Sequence, residues 1–317
     1  MTNPSGLPDF GDRRAEPTAH ELAEGTAALL REVDVALSSN RWAMLDTGST
    51  TVKFKLYEAA SLRHCCLLLG ELAQAADSGA ELTVRILGRC LVEAFLRALY
   101  LHYGGHDALV RIAQDTLHQH VKMHENIQDS NQRLARARRA ARKRLAKARA
   151  ANRGIARRNA EQPSKAPLPL HPEPYVPRLA PSGLDLSVTI AEFGALTPQA
   201  LTVVETVDAL TKLGPEKGFS NEDLTPMYHL YRGLSARGIH PSFAVYESYL
   251  LHGHFVRTAQ DLGPPAMTNA IWESVLYMTA FLAGRILTDN GQPTPIADAL
   301  CERLAPEPDG SAAWRSR

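Results

Sequence analysis

Between Leu82 and Tyr103 apolar side chains cover almost the whole circumference of a helix. Val84, Ile86, Leu87, Cys90, Leu91, Val92, Phe95, Leu96, Leu99 and Leu101 leave room for one polar stripe only. A helix apolar nearly all round cannot face water on any broad side, so it belongs in the middle of a bundle. This one element therefore demands several covering helices, more than the residues before it supply. The expectation is a single all-α bundle, built from both halves of the chain around this helix.

The polar stripe consists of Arg85, Arg89, Glu93 and Arg97, spaced by four and so drifting slowly along one face. Arg89 and Glu93 stand at i and i+4, the spacing of a helix-surface ion pair. In so apolar a helix such a pair is partly buried and needs further hydrogen bonds to complete it. Tyr231, Arg232, Ser235 and His240, far along the chain, are the groups able to supply them.

Other helical patterns surround this element. Leu22, Leu29, Leu30, Val33 and Leu37 mark a helix within 19–46, and a second runs from about 54 to 76. After a break at Gly104-Gly105, helix resumes from Asp107 to about Arg158. Later segments at 198–213, 222–237, 242–252, 267–289 and 295–304 are also helical by pattern. Strand signals are nearly absent, with 186–190 the one short alternating candidate. Residues 1–18 and 306–317 are polar and read as disordered ends.

The charge is far from evenly spread. Net charge is +1, yet 131–158 holds twelve Lys or Arg and no Asp or Glu, leaving 23 basic against 34 acidic residues elsewhere. Seven prolines follow at 163, 167, 169, 172, 174, 177 and 181, which exclude helix there and imply an extended linker. The bundle thus spans 19–305, interrupted by a basic helical insertion at 131–162 and a Pro-rich linker at 163–183. Charge on every side does not bury, so this helix is expected to project into solvent or to cross a partner.

Composition excludes several classes. The four cysteines, Cys65, Cys66, Cys90 and Cys301, form no C-x-x-C pair and no zinc spacing, and read as reduced core thiols. No secretory signal is visible, and no uncharged apolar run approaches the roughly 18 to 20 residues that span a bilayer. Ile271–Leu287 comes nearest and is interrupted by Glu273 and Arg285. The chain reads as cytoplasmic, with no membrane partner. No phosphate-cradling glycine loop or nucleophile elbow is present, and no cofactor is implied.

Two stretches carry a family resemblance. Arg89-Cys90-Leu91-Val92-Glu93, together with Tyr228-His229-Leu230-Tyr231-Arg232-Gly233-Leu234-Ser235 and His240-Pro241-Ser242, resembles the bacterial family known only as domain of unknown function 5677. The resemblance covers roughly 55–255 and implies an all-helical bundle in which the two segments meet. The chain is similar, more loosely, to HEPN-type helical domains. Those include ribonucleases that use a closely spaced Arg and His. Here Arg232 and His240 have seven residues between them, with Gly238 and Pro241 marking a helix end and a helix start in that region.

These residues support two functional readings. His240 precedes Pro241, which biases it to an extended backbone at a helix start, where the positive helix end favours neutral imidazole. Neutral imidazole suits a general base, Arg232 and Arg89 suit a phosphate, and Glu93 suits an orienting role. That gives a metal-independent ribonuclease or nucleotide-acting enzyme; a capping histidine is the plainer alternative. His120 and His124 share a helix face near His118, Asp115 and Glu125, but no third metal ligand is assured and no metal is expected. The preferred reading is a non-catalytic binding protein that contacts RNA or DNA through 131–158. Arg136, Arg139, Arg142, Lys143 and Lys147 are its candidate phosphate contacts. Aromatic residues are absent from that stretch, which argues against base stacking. An acidic surface of the chain itself, or of a second copy in a homo-oligomer, is the competing partner.

Overall fold

The structure is a computed structural model. It describes residues 16–39, 50–163, 165–177, 196–213, 221–238, 250–251, 255–256 and 266–305. The fold is all-α. Among the described residues seven helices run in order as α1 (Ala19–Leu37), α2 (Thr50–Asp77), α3 (Glu81–Glu161), α4 (Val203–Leu213), α5 (Asn221–Gly238), α6 (Ala266–Asp289) and α7 (Pro295–Leu304). A two-residue antiparallel ladder, β1 (Leu250–Leu251) with β2 (Phe255–Val256), lies between α5 and α6. The helix expected over 242–252 is therefore corrected at its end, where Leu250 and Leu251 are strand; 242–249 lie outside the described residues. Leu186–Ile190 also lies outside them.

Two compact units are distinguishable, one of residues 1–112 with 201–317, the other of 113–200. The second is wider than the expected 131–183, because it already includes Gln114, whose carbonyl accepts the Gln199 N–H at 3.3 Å. Both units draw on α3, which is non-helical at one point. Gly105 takes φ 64° and ψ −141°, a conformation open to glycine and closed to nearly everything else. The break expected at Gly104-Gly105 thus falls on Gly105.

In the first unit the first arm of α3 contributes the deepest side chains. Val84, Leu91, Val92, Phe95, Leu96 and Leu99 are fully buried, against Leu62, Cys65 and Leu69 of α2 and Val275, Leu276, Leu282 and Ile286 of α6. Gly88 permits this closeness. A Cβ there would stand 2.8 Å from Ile271 Cγ2 and 3.4 Å from Leu234 Cδ1, so a larger residue would push α6 and α5 outward. The apolar helix is covered from both halves of the chain.

Polar devices fix the helix ends. Thr18, placed by sequence in a disordered lead-in, is the N-cap of α1. Its Oγ1 accepts the Glu21 N–H (3.2 Å) and its own N–H reaches Glu21 Oε2 (2.7 Å), a capping box. Glu32 on α1 accepts the N–H groups of Ile296 and Ala297, both at 2.9 Å, and so closes the N-terminus of α7. Trp272 donates from Nε1 to the buried Thr26 Oγ1 (3.0 Å), tying α6 to α1. Over Thr268–Asp289, α6 is long and apolar enough to cross a bilayer, but 67% of that window is buried inside the protein, as befits a core helix.

Candidate functional site

Arg89 lies on the face of α3 that meets α5. Its Nε donates to Ser235 Oγ (2.9 Å), its Nη2 donates to Tyr231 Oη (3.2 Å), and its guanidinium sits 5.2 Å from the Tyr231 ring centroid. The segments 89–93 and 228–235 are thus brought together. The expected Arg89–Glu93 pair is not formed, however. Glu93 pairs with Arg97 at 3.4 Å, and Arg97 also donates to the Leu201 carbonyl (3.1 Å). Two causes favour this arrangement. A glutamate preceding its arginine by four is the better order on a helix, and α5 offers Arg89 two oxygens and a ring face.

Arg232 points elsewhere. It is exposed, donates to Tyr228 Oη at 3.3 Å within its own helix, and lies 5.9 Å from that ring. The Tyr228 hydroxyl raises its already high pKa. His240 lies outside the described residues. Of the four expected members, Arg89 and Glu93 therefore share a helix without pairing, and Arg232 turns to Tyr228.

A second polar cluster in this unit had no sequence signal. His102 Nδ1 lies 2.6 Å from Glu58 Oε1, and His102 Nε2 lies 3.3 Å from Asp289 Oδ2. The Glu58 and His102 side chains are 5% and 7% exposed, whereas Asp289 is 65% exposed. A buried carboxylate thus fixes one ring nitrogen while the other faces a solvated carboxylate, joining α2, α3 and α6. Tyr103, edge-on to the ring at 4.6 Å between centroids, has its pKa raised chiefly by burial. A shallow groove of about 400 Å³ between α1 and the α6–α7 link offers no free acid, since Glu32 in its wall is committed to Ile296 and Ala297.

In the second unit the basic arm of α3 departs from expectation. Its charges do not occupy every side. From Leu134 onward the half-buried positions are Leu134, Ala135, Arg138, Ala141, Leu145, Ala148, Asn152, Ile155 and Asn159, a seam at alternating steps of four and three once Ala135 is set aside. Eleven of the twelve cations lie off that seam; Arg138 alone sits in it, with its Nε buried and unbonded. Arg136, Arg139, Arg142, Lys143 and Lys147 are all exposed.

The Pro-rich segment is likewise not a free linker. Asn159 donates from Nδ2 to the Leu168 carbonyl (3.1 Å) and accepts the Leu168 N–H (2.9 Å). Asn152 does the same for His171, at 3.0 and 2.7 Å. Arg149 then grips Glu173 through Nε and Nη2, both at 3.1 Å. The chain returns antiparallel along the seam. The match is geometric: seven helix residues rise about 10.5 Å, and three polyproline residues about 9.3 Å. Carried one heptad further, this register sets Leu145 opposite Pro174, which has no N–H to satisfy, and there the helix has an apolar side chain instead of a third asparagine. Ala141 and Ala148 keep the seam shallow enough for a backbone to lie on it.

The ion pairs of 131–161 among the described residues are Arg149–Glu173 and Arg157–Glu161. His120 and His124 fall on the same seam, and His124 Nε2 lies 2.6 Å from Gln128 Nε2. Among the described residues no three His, Cys, Asp or Glu side chains gather as metal ligands. The cysteines are free. Burial raises the pKa of Cys65 far above its ordinary value, and that of Cys66 to about 12.

No family model matches the chain, and no match was found among curated proteins or among solved structures.

Proposed function

We propose that this chain is a non-catalytic binding protein that contacts nucleic acid through the basic arm of α3. One observation carries the reading: Arg136, Arg139, Arg142, Lys143 and Lys147 are exposed, and among the described residues none of them is engaged in an ion pair. Eleven cations around a helix whose seam is taken by its own return strand form a rod of positive charge. Such a rod gains affinity by releasing counterions from phosphates. Among the described residues, the acidic groups of the same chain that pair with this arm are Glu173 and Glu161. The ribonuclease alternative draws less support, because Arg89 gives its guanidinium to Tyr231 and Ser235 and Glu93 gives its carboxylate to Arg97. The chain's place in the family of unknown function is proposed on the motifs at 89–93 and 228–242. A cytoplasmic location fits this reading.

The test is fluorescence anisotropy with labelled RNA and DNA oligonucleotides at about 50 and about 200 mM salt. Wild type binds, and its affinity falls steeply with salt. A variant with all five residues changed to Gln, which keeps helix propensity, binds weakly with a flatter salt slope. Equal binding by the two proteins, or none by the wild type, overturns the proposal.

A further inference from the structure

The return strand carries an aromatic ring to the basic helix. Its register is fixed by the backbone groups of Leu168 and His171, which face the helix while both residues remain exposed. Glu173 turns toward Arg149. Tyr175 is 80% exposed, and Leu170 is 61% exposed. Pro174 and Pro177 fix their own φ and bias Glu173 and Val176 to extended backbone on either side of the tyrosine.

The level of the ring follows from the same register. Tyr175 lies four residues beyond His171, and at seven helical residues per three strand residues that is about nine residues before Asn152 on the helix. By that register the ring stands level with about Lys143, near the exposed Arg142, Arg144 and Lys147. A tyrosine left this open to water offers a free stacking surface. Cations around it match a phosphate backbone, and its π-face matches a base.

Building on the nucleic-acid reading above, we infer that the hairpin of helix and return strand is a site for single-stranded nucleic acid. An unpaired base stacks on Tyr175, and flanking phosphates engage Arg142, Arg144 and Lys147. Duplex has its bases stacked internally and offers Tyr175 no free face. The same cations then bind duplex through charge alone. The prolines lower the ordering cost, since the strand is held before any ligand arrives.

The experiment compares wild type, Tyr175→Ala and Tyr175→Phe on a twelve-nucleotide single strand, its blunt duplex, and vesicles containing phosphatidylserine. Circular dichroism confirms that each variant retains its helix. The expected result is a loss of single-strand affinity of about 5- to 150-fold in Tyr175→Ala, with the salt slope and the duplex affinity unchanged. Tyr175→Phe, which keeps the ring, binds like wild type. If Tyr175→Ala binds the single strand as tightly as wild type, the stacking site is overturned while the basic-helix reading stands. If wild type binds neither oligonucleotide, both fall. Binding to the vesicles alone overturns the inference in favour of an anionic membrane surface.

Discussion

The side-chain amide of Asn152 holds both backbone polar groups of His171, donating to its carbonyl at 3.0 Å and accepting its N–H at 2.7 Å. Asn159 repeats the arrangement on Leu168 one heptad later. A polyproline strand has no internal hydrogen bonds, so its amides are ordinarily left to water. Here two asparagines on one helix seam take that role and convert a linker into the second strand of a hairpin.

Removing those amides should open the strand without unfolding the protein. Each exposed hydrogen bond contributes about 1 kcal/mol, so Asn152→Ala speeds local opening at His171 roughly tenfold or more, and Asn159→Ala does the same at Leu168. Amide hydrogen exchange reads both positions directly. Unchanged exchange at His171 in Asn152→Ala would show that the strand is held by something else.

The elements legible in the sequence were those dictated by local pattern. The all-round apolarity of 82–103 announced a central helix, and Gly104-Gly105 announced a break. The features without a local signal depend on packing. Glu58 and His102 are far apart in the chain, and nothing near either residue signals the other. The Arg89–Glu93 spacing suggested a pair, but spacing cannot show that α5 delivers Tyr231 and Ser235 to Arg89. The return strand was recoverable in principle: asparagines seven apart on a helix stand opposite non-proline residues three apart in a Pro-rich run. That coincidence of two periods is invisible when helix and linker are read separately.

Arg89 makes two directed donor contacts and covers a ring, a combination that suits a planar guanidinium. Arg89→Ala should lower stability by about 2 kcal/mol, since contacts of a charged donor are worth more than neutral ones. Arg89→Lys keeps the charge but not the fork, and should recover less than half of that loss. Urea denaturation of the three proteins measures it. Full recovery by lysine would mean that charge alone matters at this position.

The Glu58–His102 contact is buried on both sides, while Asp289 is largely in water. Removing Glu58 leaves the buried His102 Nδ1 without its partner, at a cost of about 1–3 kcal/mol, whereas an exposed partner contributes about 0–1 kcal/mol. Glu58→Leu should therefore lower the melting temperature by many degrees and Asp289→Asn by very little. Comparable losses in both variants would place the solvated carboxylate, not the buried one, at the centre of the cluster.

Glu273 gives the protein a testable pH dependence. Burial raises its carboxyl above the ordinary 4.5, with Arg303 opposing the shift and Glu16 adding to it. A carboxyl whose pKa is raised by folding binds its proton more tightly in the native state. Across the window from 4.5 up to that raised value the native chain holds more protons than the unfolded chain, so this residue's contribution falls as pH rises. Above the window the cost of keeping the charge partly buried is constant. Glu273→Gln removes the titration, so the variant should gain stability relative to wild type as pH goes from about 4 to about 7. Glu32, also raised by burial, titrates the same way in both proteins, and Glu21, lowered mainly by the Thr18 backbone N–H, titrates oppositely in both. Only the difference between the two melting curves isolates Glu273. A difference that stays flat across the range, or that shrinks toward neutral pH, would show that burial does not raise this carboxyl.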